Sequence, residues 1–476
     1  MFQKRSIRRF SFILAMIFFA LNLSACGVII WHGPAESEPA ETAGKPAAPT
    51  PGYTDYKKLA EENFKNLPAY SSGSMRTLIY AHDDDAFIGT GTESALNAAR
   101  LERIEMLEGK YNTSIIFDTG SPDEIYATAV AARKNGDYLA DMLLLPMESI
   151  GKFAAADLLY NLYALPYFDT GSSIFNQNSV AGASAGHRLL GISSDAIFEP
   201  EKIYCMYVNL DLLAKITSDD IYATVRGGKW TLDTFNSLSA SAEALGFEKI
   251  HEAGTDVNFA ELCLYTSGYT LVETGKDTVP TLHAYDESMR SFYSAASVSY
   301  RYFKSTDAAG ADFRAGELLF VTDTVANADK YASAGFRWGV IPHPKGAEEN
   351  GYATYTDGSL SMICLYAGTT NEVFMSHFIT AISTMSDKFF PQDFIYNAIY
   401  TTLQDNNAAV CMDSIVKNVH YDLFRMIAKT NNETKAGTVD ALESIICRGG
   451  DFDTAKKNYE EGIRDFLGKT FPVIYQ

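Results

Sequence analysis

The residues best suited to chemistry are carboxylates. His82, Asp83, Asp84 and Asp85 stand in one run, and Asp-Thr-Gly-Ser occurs twice, at 118–121 and 169–172. Two such loops can bring a pair of carboxylates together to share a proton and activate water. Asp118 and Asp169 are only 51 positions apart, too close for two β-rich lobes that each supply one carboxylate. The stretch between them reads as helices and a buried strand. Both copies therefore read as turns, with Asp accepting backbone N–H bonds and Gly supplying a permissive backbone. A hydrolase of the aspartic-protease type using Asp118 and Asp169 is the remote alternative. The His82–Asp85 run has two readings. It could hold sugar hydroxyls, an amine or a divalent cation, or it could be a solvated loop in which Asp84 or Asp85 caps a turn.

Other chemistries find no purchase. The eight histidines include no HxxxH, HxH or HExxH pair, and the cysteines form no CxxC, so neither a metal nor a cofactor is expected. No phosphate-binding glycine loop, GxSxG elbow or Cys–His nucleophile pattern appears. The expectation is a protein that is not an enzyme. Cys205 and Cys364 sit in apolar runs (IYCMYV, SMICLY) and read as small buried hydrophobes. One disulfide among the five cysteines beyond Cys26 stays open.

The first 26 residues have a basic start (Lys4, Arg5, Arg8, Arg9), then an apolar run over 10–23, too short for a confident bilayer span. The run closes on Leu23-Ser24-Ala25-Cys26, which resembles the bacterial lipobox. That resemblance implies cleavage after a signal peptide of residues 1–25 and acylation of the Cys26 thiol. Acyl chains hold a protein at a bilayer by about 0.8 kcal/mol per buried CH2 without a spanning helix. The expected location is the extracytoplasmic face of the cell membrane, lipid-anchored. Residues 33–52 are rich in Pro, Ala, Gly and Glu and cannot offset their ordering entropy, so 26–72 reads as a flexible lipid-anchored linker.

Removing residues 1–25 takes away those four positive charges and no negative one, moving the formal net charge from −20 to −24. So acidic a body repels phosphate backbones, which excludes nucleic acid as a partner. With 47% apolar residues over this length, the chain can bury a core in two or more lobes.

The body opens in an α/β rhythm. Apolar strands at 77–80, 114–117 and 142–145 alternate with helical periodicity at 93–108, 123–134 and 147–159. Strands apolar on both faces indicate a sheet covered on both sides, and ligands of such sheets bind beyond the carboxyl ends of the strands. That points to His82–Asp85, 119–121 and 146–148 as loops of one wall. Further strands are expected at 202–208, 316–321 and 337–341, with Thr231 as an N-cap and a mostly helical final hundred residues. Trp230 and Trp338 read as packing residues, and His343, between Pro342 and Pro344, as a surface turn residue.

Several segments, in order, resemble the extracellular solute-binding lipoproteins of ABC importers for sugars and oligosaccharides (family 1), in a clostridial-like subgroup. They are TLIYAHDDD, KYNTSIIF, Asn135-Gly136-Asp137, NLYALPYF, YVNLDLL, GGKWTLDTF, FRAGELLFVTD, FRWGVIPHPKG and FIYNAIYTTLQDNNAAVCMDSIV. They span nearly all of 73–476. The resemblance implies a two-lobe periplasmic-binding-protein-like α/β fold (type II), each lobe a mixed sheet flanked by helices, with a hinge and an interlobe cleft. It places 73–200 with 318–360 in the N-terminal lobe and 201–317 with 361–476 in the C-terminal lobe. Crossings are implied near 198–202, 316–318 and 358–363.

The same resemblance puts His82, Asp83, Asp84, Asp85, Met147, Glu148, Phe198, Asn258, Phe259, Asp323, Thr324, Tyr355 and Asp357 at the ligand. Ala326 stands near the place where the family often carries a tryptophan, so stacking would fall to Tyr or Phe. The implied role is capture of a small polar solute, most plausibly a saccharide, for delivery to membrane permease subunits by a monomer. A surface ligand sensor not coupled to import is the alternative in the binding class.

Overall fold

In a computed structural model of the chain, residues 55–70, 75–82, 85–89, 95–403 and 405–472 are described. The expected signal peptide (1–25), Cys26, the expected spacer (33–52), Asp83 and Asp84 lie outside them. The first half builds helix α1 (Tyr56–Asn66), strand β1 (Met75–Ala81), α2 (Ala95–Tyr111), β2 (Thr113–Thr119), α3 (Pro122–Asn135), β3 (Met142–Pro146) and α4 (Ile150–Ala155). β1 pairs in parallel with both β2 and β3. All five residues of β3 are buried, as befits an apolar strand inside a sheet covered on both faces. The Asp-Thr-Gly-Ser run at the end of β2 is a helix entry: Ser121 and Glu124 form a capping box at the start of α3. In the second copy, the Asp169 side chain accepts the Gly171 N–H at 3.1 Å in an exposed turn. Both are turns.

A second sheet follows from β4 (Tyr204–Asn209), β5 (His251–Ala253), β6 (Phe303–Ser305), β7 (Phe320–Thr324) and β8 (Trp338–Ile341), in the order β6-β5-β7-β4-β8. α5 (Phe259–Thr266) leaves the loop after β5. β7 runs parallel to β5 and antiparallel to β4, so this sheet is mixed. β9 (Ser361–Leu365) then returns to the first sheet, antiparallel to β3, giving the order β9-β3-β1-β2. The chain ends in helices that include α6 (Glu372–Ser386), α7 (Phe389–Phe394), α8 (Asn406–Lys417), α9 (Leu423–Ile427) and α10 (Ala441–Arg448).

Four expectations need correction. The stretch 26–72 is not flexible linker throughout, because α1 (Tyr56–Asn66) is a helix that packs on α6 with Ala60 and Phe64 buried. Strand pairing puts 320–324 and 338–341 in the second sheet and 361–365 in the first, the reverse of the assignment of 318–360 to the N-terminal lobe and of the start of 361–476 to the C-terminal one. Residues 316–318 are no crossing, because they run from the helix Ala309–Arg314, packed on β5 and β7, straight into β7. His343 is no surface turn: it is buried, and its Nε2 lies 2.9 Å from the Thr322 hydroxyl, which also meets His251 Nε2 at 2.8 Å. Sharing one hydroxyl supplies a polar partner that two buried rings require.

Trp230 and Trp338 are buried in packing positions, with the Trp230 indole N–H donating to the Pro342 carbonyl at 2.9 Å. Thr231 caps its helix as expected. Cys205 and Cys364 are buried, and all five cysteines among the described residues are free thiols.

Candidate solute-binding cleft

Two segments pass between the sheets side by side, 199–203, which holds the 3-10 turn Pro200–Lys202 and leads into β4, and 355–360, which leads into β9. Ile203 and Thr356 form a bridge, and the Tyr204 N–H donates to the Tyr355 carbonyl at 3.0 Å. The Glu199 carboxylate, fully buried, locks them. It accepts the Ser361 N–H at 2.7 Å and hydroxyl at 2.8 Å, and meets the Lys202 ammonium at 2.6 Å. Burial pushes this carboxyl upward, against the pull of Lys202 and Ser361. His82, at the end of β1, reaches the same Ser361 hydroxyl at 2.9 Å.

Beside these crossings the loops of both sheets converge. After β3 the chain makes a single 3-10 turn (Met147–Ser149), and the Glu148 N–H donates to the Gly358 carbonyl at 3.1 Å. Gly358 has φ +88°, and a Cβ there would meet Glu148 Oε2 at 2.8 Å and the Arg425 guanidinium at 3.3 Å. Glycine thus lets both charged groups approach the crossing strand. Glu148 pairs with Lys429, just beyond α9, at 2.5 Å.

Arg425 of α9 is the centre of the cluster. It is buried, lies 4.4 Å from the Tyr265 ring centroid and 5.1 Å from that of Tyr355, and donates to the hydroxyl and carbonyl of Thr356. Glu261 of α5 lies 3.7 Å from it. Burial drives the Glu261 carboxyl upward, the cations of Arg425 and Lys429 oppose this, and Glu148 and Glu443 add to it. Asn258 caps α5 through its side-chain oxygen, while its amide reaches Glu443 at 3.4 Å. The Tyr204 hydroxyl donates to Asp256 at 2.7 Å, and its ring lies 5.3 Å from that of Tyr355. Burial first, then Asp256, pushes the Tyr204 hydroxyl upward; burial also raises that of Tyr355, opposed by Arg425 and aided by the nearby carboxylates, so both stay neutral. Asp357 accepts the N–H and hydroxyl of Ser359 through one oxygen.

Of the residues named from sequence, Glu148, Asn258, Tyr355 and Asp357 come together here, with His82 at the margin through Ser361. Asp85 opens the short helix Asp85–Ile88. The others fall elsewhere. Phe198 is buried against Phe394 and offers only its carbonyl, to Arg100. Phe259 is buried against Tyr300 and Phe303, and Met147 and Thr324 are buried as well.

The Asp323 carboxylate is spent within its own lobe, on the Thr324 N–H, the Asn327 amide and the Tyr331 hydroxyl. Alternation along β7 explains this, since Thr322 and Asp323 face opposite sides of the sheet. Sequence reasoning missed Arg425, Lys429, Asp256, Glu261 and Tyr204. One clue was available for Arg425: it interrupts the otherwise apolar run Leu423-Phe424-Arg425-Met426-Ile427.

The arrangement suits recognition of a polar solute. Carboxylates accept hydroxyl protons, while the ammonium, guanidinium and phenol groups donate. Two sheets bridged by paired crossings, with polar loops meeting beside them, define a two-lobe binding protein. The family model for bacterial extracellular solute-binding proteins matches residues 102–384, more than half of the chain. The chain belongs to this family: it binds a solute and works outside the cytoplasm. No helix among the described residues is long and apolar enough to cross a membrane.

Solved structures with the same fold include three relatives. The sugar-binding protein MalE from Xanthomonas citri has a TM-score of 0.55 at 12% identity, covering 83% of this chain and 98% of its own. A family 1 extracellular solute-binding protein from Bifidobacterium longum subsp. infantis has a TM-score of 0.53 at 14% identity, covering 85% and 100%. The galacto-N-biose-/lacto-N-biose I-binding protein of the ABC transporter from Bifidobacterium longum, in complex with lacto-N-biose, has a TM-score of 0.52 at 13% identity, covering 83% and 99%. No curated protein matches the chain.

Proposed function

We propose that this chain is the solute-binding subunit of an ABC importer, that its solute is a sugar or oligosaccharide, and that a lipid on Cys26 holds it near its permease. The observation that carries the reading is the cluster beside the crossings. Glu148, Asp256, Glu261 and Asp357 supply acceptors, Lys429, Arg425 and Tyr204 supply donors, and these two kinds of group are what a ring of hydroxyls requires. Tyrosine rings at the same place offer apolar faces for the C–H side of a sugar. Two of the structural relatives are described as binding sugars, which agrees with this choice of solute.

Closure would follow from hinge motion at 199–203 and 355–360, with the ligand bridging the two sides. An acidic body is repelled by an anionic bilayer, so a covalent anchor at Cys26, with 33–52 as spacer, keeps the captured solute within reach of the transporter.

The test is a thermal-shift screen of the purified chain against mono- and oligosaccharides, amino acids and short peptides. A saccharide that raises the melting temperature in a saturable way supports the reading. Stabilisation by a peptide or amino acid and by no sugar would refute it. For the anchor, Cys26→Ser is expected to move the protein from the membrane fraction to the medium; retention at the membrane would remove Cys26 from that role.

A further inference from the structure

The carboxylates and cations of the cleft do not balance. The Lys429 ammonium lies 2.5 Å from Glu148, the Arg425 guanidinium 3.7 Å from Glu261, and the Arg448 guanidinium 3.2 Å from Glu443. These three pairs cancel. Asp256 and Asp357 remain, and among the described residues neither forms an ion pair; their side-chain partners are uncharged. Arg425 is buried and already surrounded by Thr356, Glu261 and the rings of Tyr265 and Tyr355.

The two unpaired carboxylates stand around the same pair of rings. Asp256, in the loop after β5, accepts the Tyr204 hydroxyl at 2.7 Å through one oxygen. Asp357, on the crossing 355–360, follows Tyr355 by two residues. It accepts the Ser359 N–H at 2.8 Å and hydroxyl at 2.6 Å, again through one oxygen. The rings of Tyr204 and Tyr355 lie 5.3 Å apart. Burial holds both phenols upward, and both carboxylates add to this, so each is close to the same two hydroxyls. Each carboxylate keeps its second oxygen without a protein partner among the described residues. A group bound between them touches a loop of the second sheet and a crossing segment at once.

Asp256 is exposed and Asp357 half-buried, so water can serve both while the cleft is open. Closure by hinge motion removes that water. A carboxylate taken out of water is costly unless an opposite charge and hydrogen bonds replace it. The hydroxyls of a neutral sugar bring hydrogen bonds and no charge. An ammonium brings both. A metal ion fits less well, because no three His, Cys, Asp or Glu side chains among the described residues are grouped to hold one. The formal net charge of −20 adds a field of the same sign.

We propose that the solute of the cleft is a cationic saccharide, with a protonated amino group in place of a ring hydroxyl, and that Asp256 and Asp357 together hold its ammonium. The Glu148–Lys429 pair is left for the hydroxyls. This inference rests on the sugar-binding reading above and narrows it.

The test is calorimetric titration of the full chain with the β-1,4-linked dimers of glucosamine, N-acetylglucosamine and glucose, which share one skeleton and differ at C2, and with putrescine. The expected result is that the glucosamine dimer binds at least tenfold tighter than the other two. Raising NaCl from about 20 to about 500 mM should weaken it at least fivefold and change the neutral dimers less than twofold. In the double variant Asp256→Asn, Asp357→Asn its advantage should shrink below twofold. Asparagine keeps an acceptor for the Tyr204 hydroxyl and for Ser359, and the salt series on the wild type needs no variant. Failure of the glucosamine dimer to bind, an affinity for it that ignores salt, or a preference that survives in the double variant would each overturn the proposal. Tighter binding of a neutral dimer would overturn it and sustain the sugar reading. Binding of putrescine and of no sugar would overturn both.

Discussion

The Lys429 ammonium lies 2.5 Å from the Glu148 carboxylate and joins the turn after β3 to the chain leaving α9. The pair is partly solvated, with Lys429 55% and Glu148 24% exposed. Such pairs contribute about 0–1 kcal/mol to stability. Lys429→Ala is therefore expected to leave the melting temperature nearly unchanged. In the cleft reading it removes a charged donor to the solute, and affinity should fall about tenfold, roughly 1.4 kcal/mol. Calorimetric titration beside a thermal melt of the same preparation separates the two effects.

Gly151 of α4 faces the backbone just behind that pair. A Cβ there would lie 2.6 Å from the Met426 carbonyl oxygen and 2.9 Å from the Ile427 Cα. Neither is a flexible side-chain end. Gly151→Ala is expected to cost about 1–3 kcal/mol through overpacking, read from urea unfolding. A variant as stable as the wild type would show that α4 and α9 do not pack this closely in solution.

Asp323 and Asp256 should separate stability from binding. Asp323→Ala strands the Asn327 amide and the Tyr331 hydroxyl, and each donor left unpaired costs about 1–3 kcal/mol. Solute affinity should stay unchanged. Asp256 is exposed but accepts the hydroxyl of buried Tyr204, so Asp256→Ala should lose affinity as well as about 1–3 kcal/mol of stability. Unfolding curves and binding isotherms of both variants decide the matter, and reversed outcomes would exchange their roles.

The paired histidines set an acid limit. Burial holds both His251 and His343 down at about 3, against about 6.5 in an unfolded chain. Between those values the unfolded state binds up to two more protons. Their contribution is thus complete above pH 6.5 and is lost as pH falls toward 3. The slope reaches about 2.7 kcal/mol per pH unit well inside that window. Asp195 and Glu199, raised by burial, act in the opposite sense and soften the fall. Urea unfolding at pH 7.5, 6 and 5 should show this loss, and His343→Gln should halve the histidine share.

What the sequence allowed depended on how local each cause was. β3 could be read because its apolar residues run without interruption, and Thr231 because a cap acts within one turn. The membership of β7, β8 and β9 could not. Each is a short apolar strand, and periodicity states that a strand is buried without stating which sheet it joins. The same holds in the cleft. Glu148 follows a strand end and was accessible to the rule for such loops, whereas Arg425 reaches Thr356 across 69 positions. Asp323 misled for a related reason: the family resemblance put it at the ligand, but the pleat turns it toward Tyr331.

The most direct test of solute capture in the cleft is calorimetric titration of the saccharide that most stabilises the wild-type chain, into the wild type and into an Asp256→Ala, Glu261→Gln double variant. The expected result is saturable binding of one equivalent at the cleft of the wild type. It should weaken at least a hundredfold in the double variant, measured at a temperature where the unfolding curves show both proteins folded. Equal affinity in the two proteins would contradict the account and place the solute elsewhere.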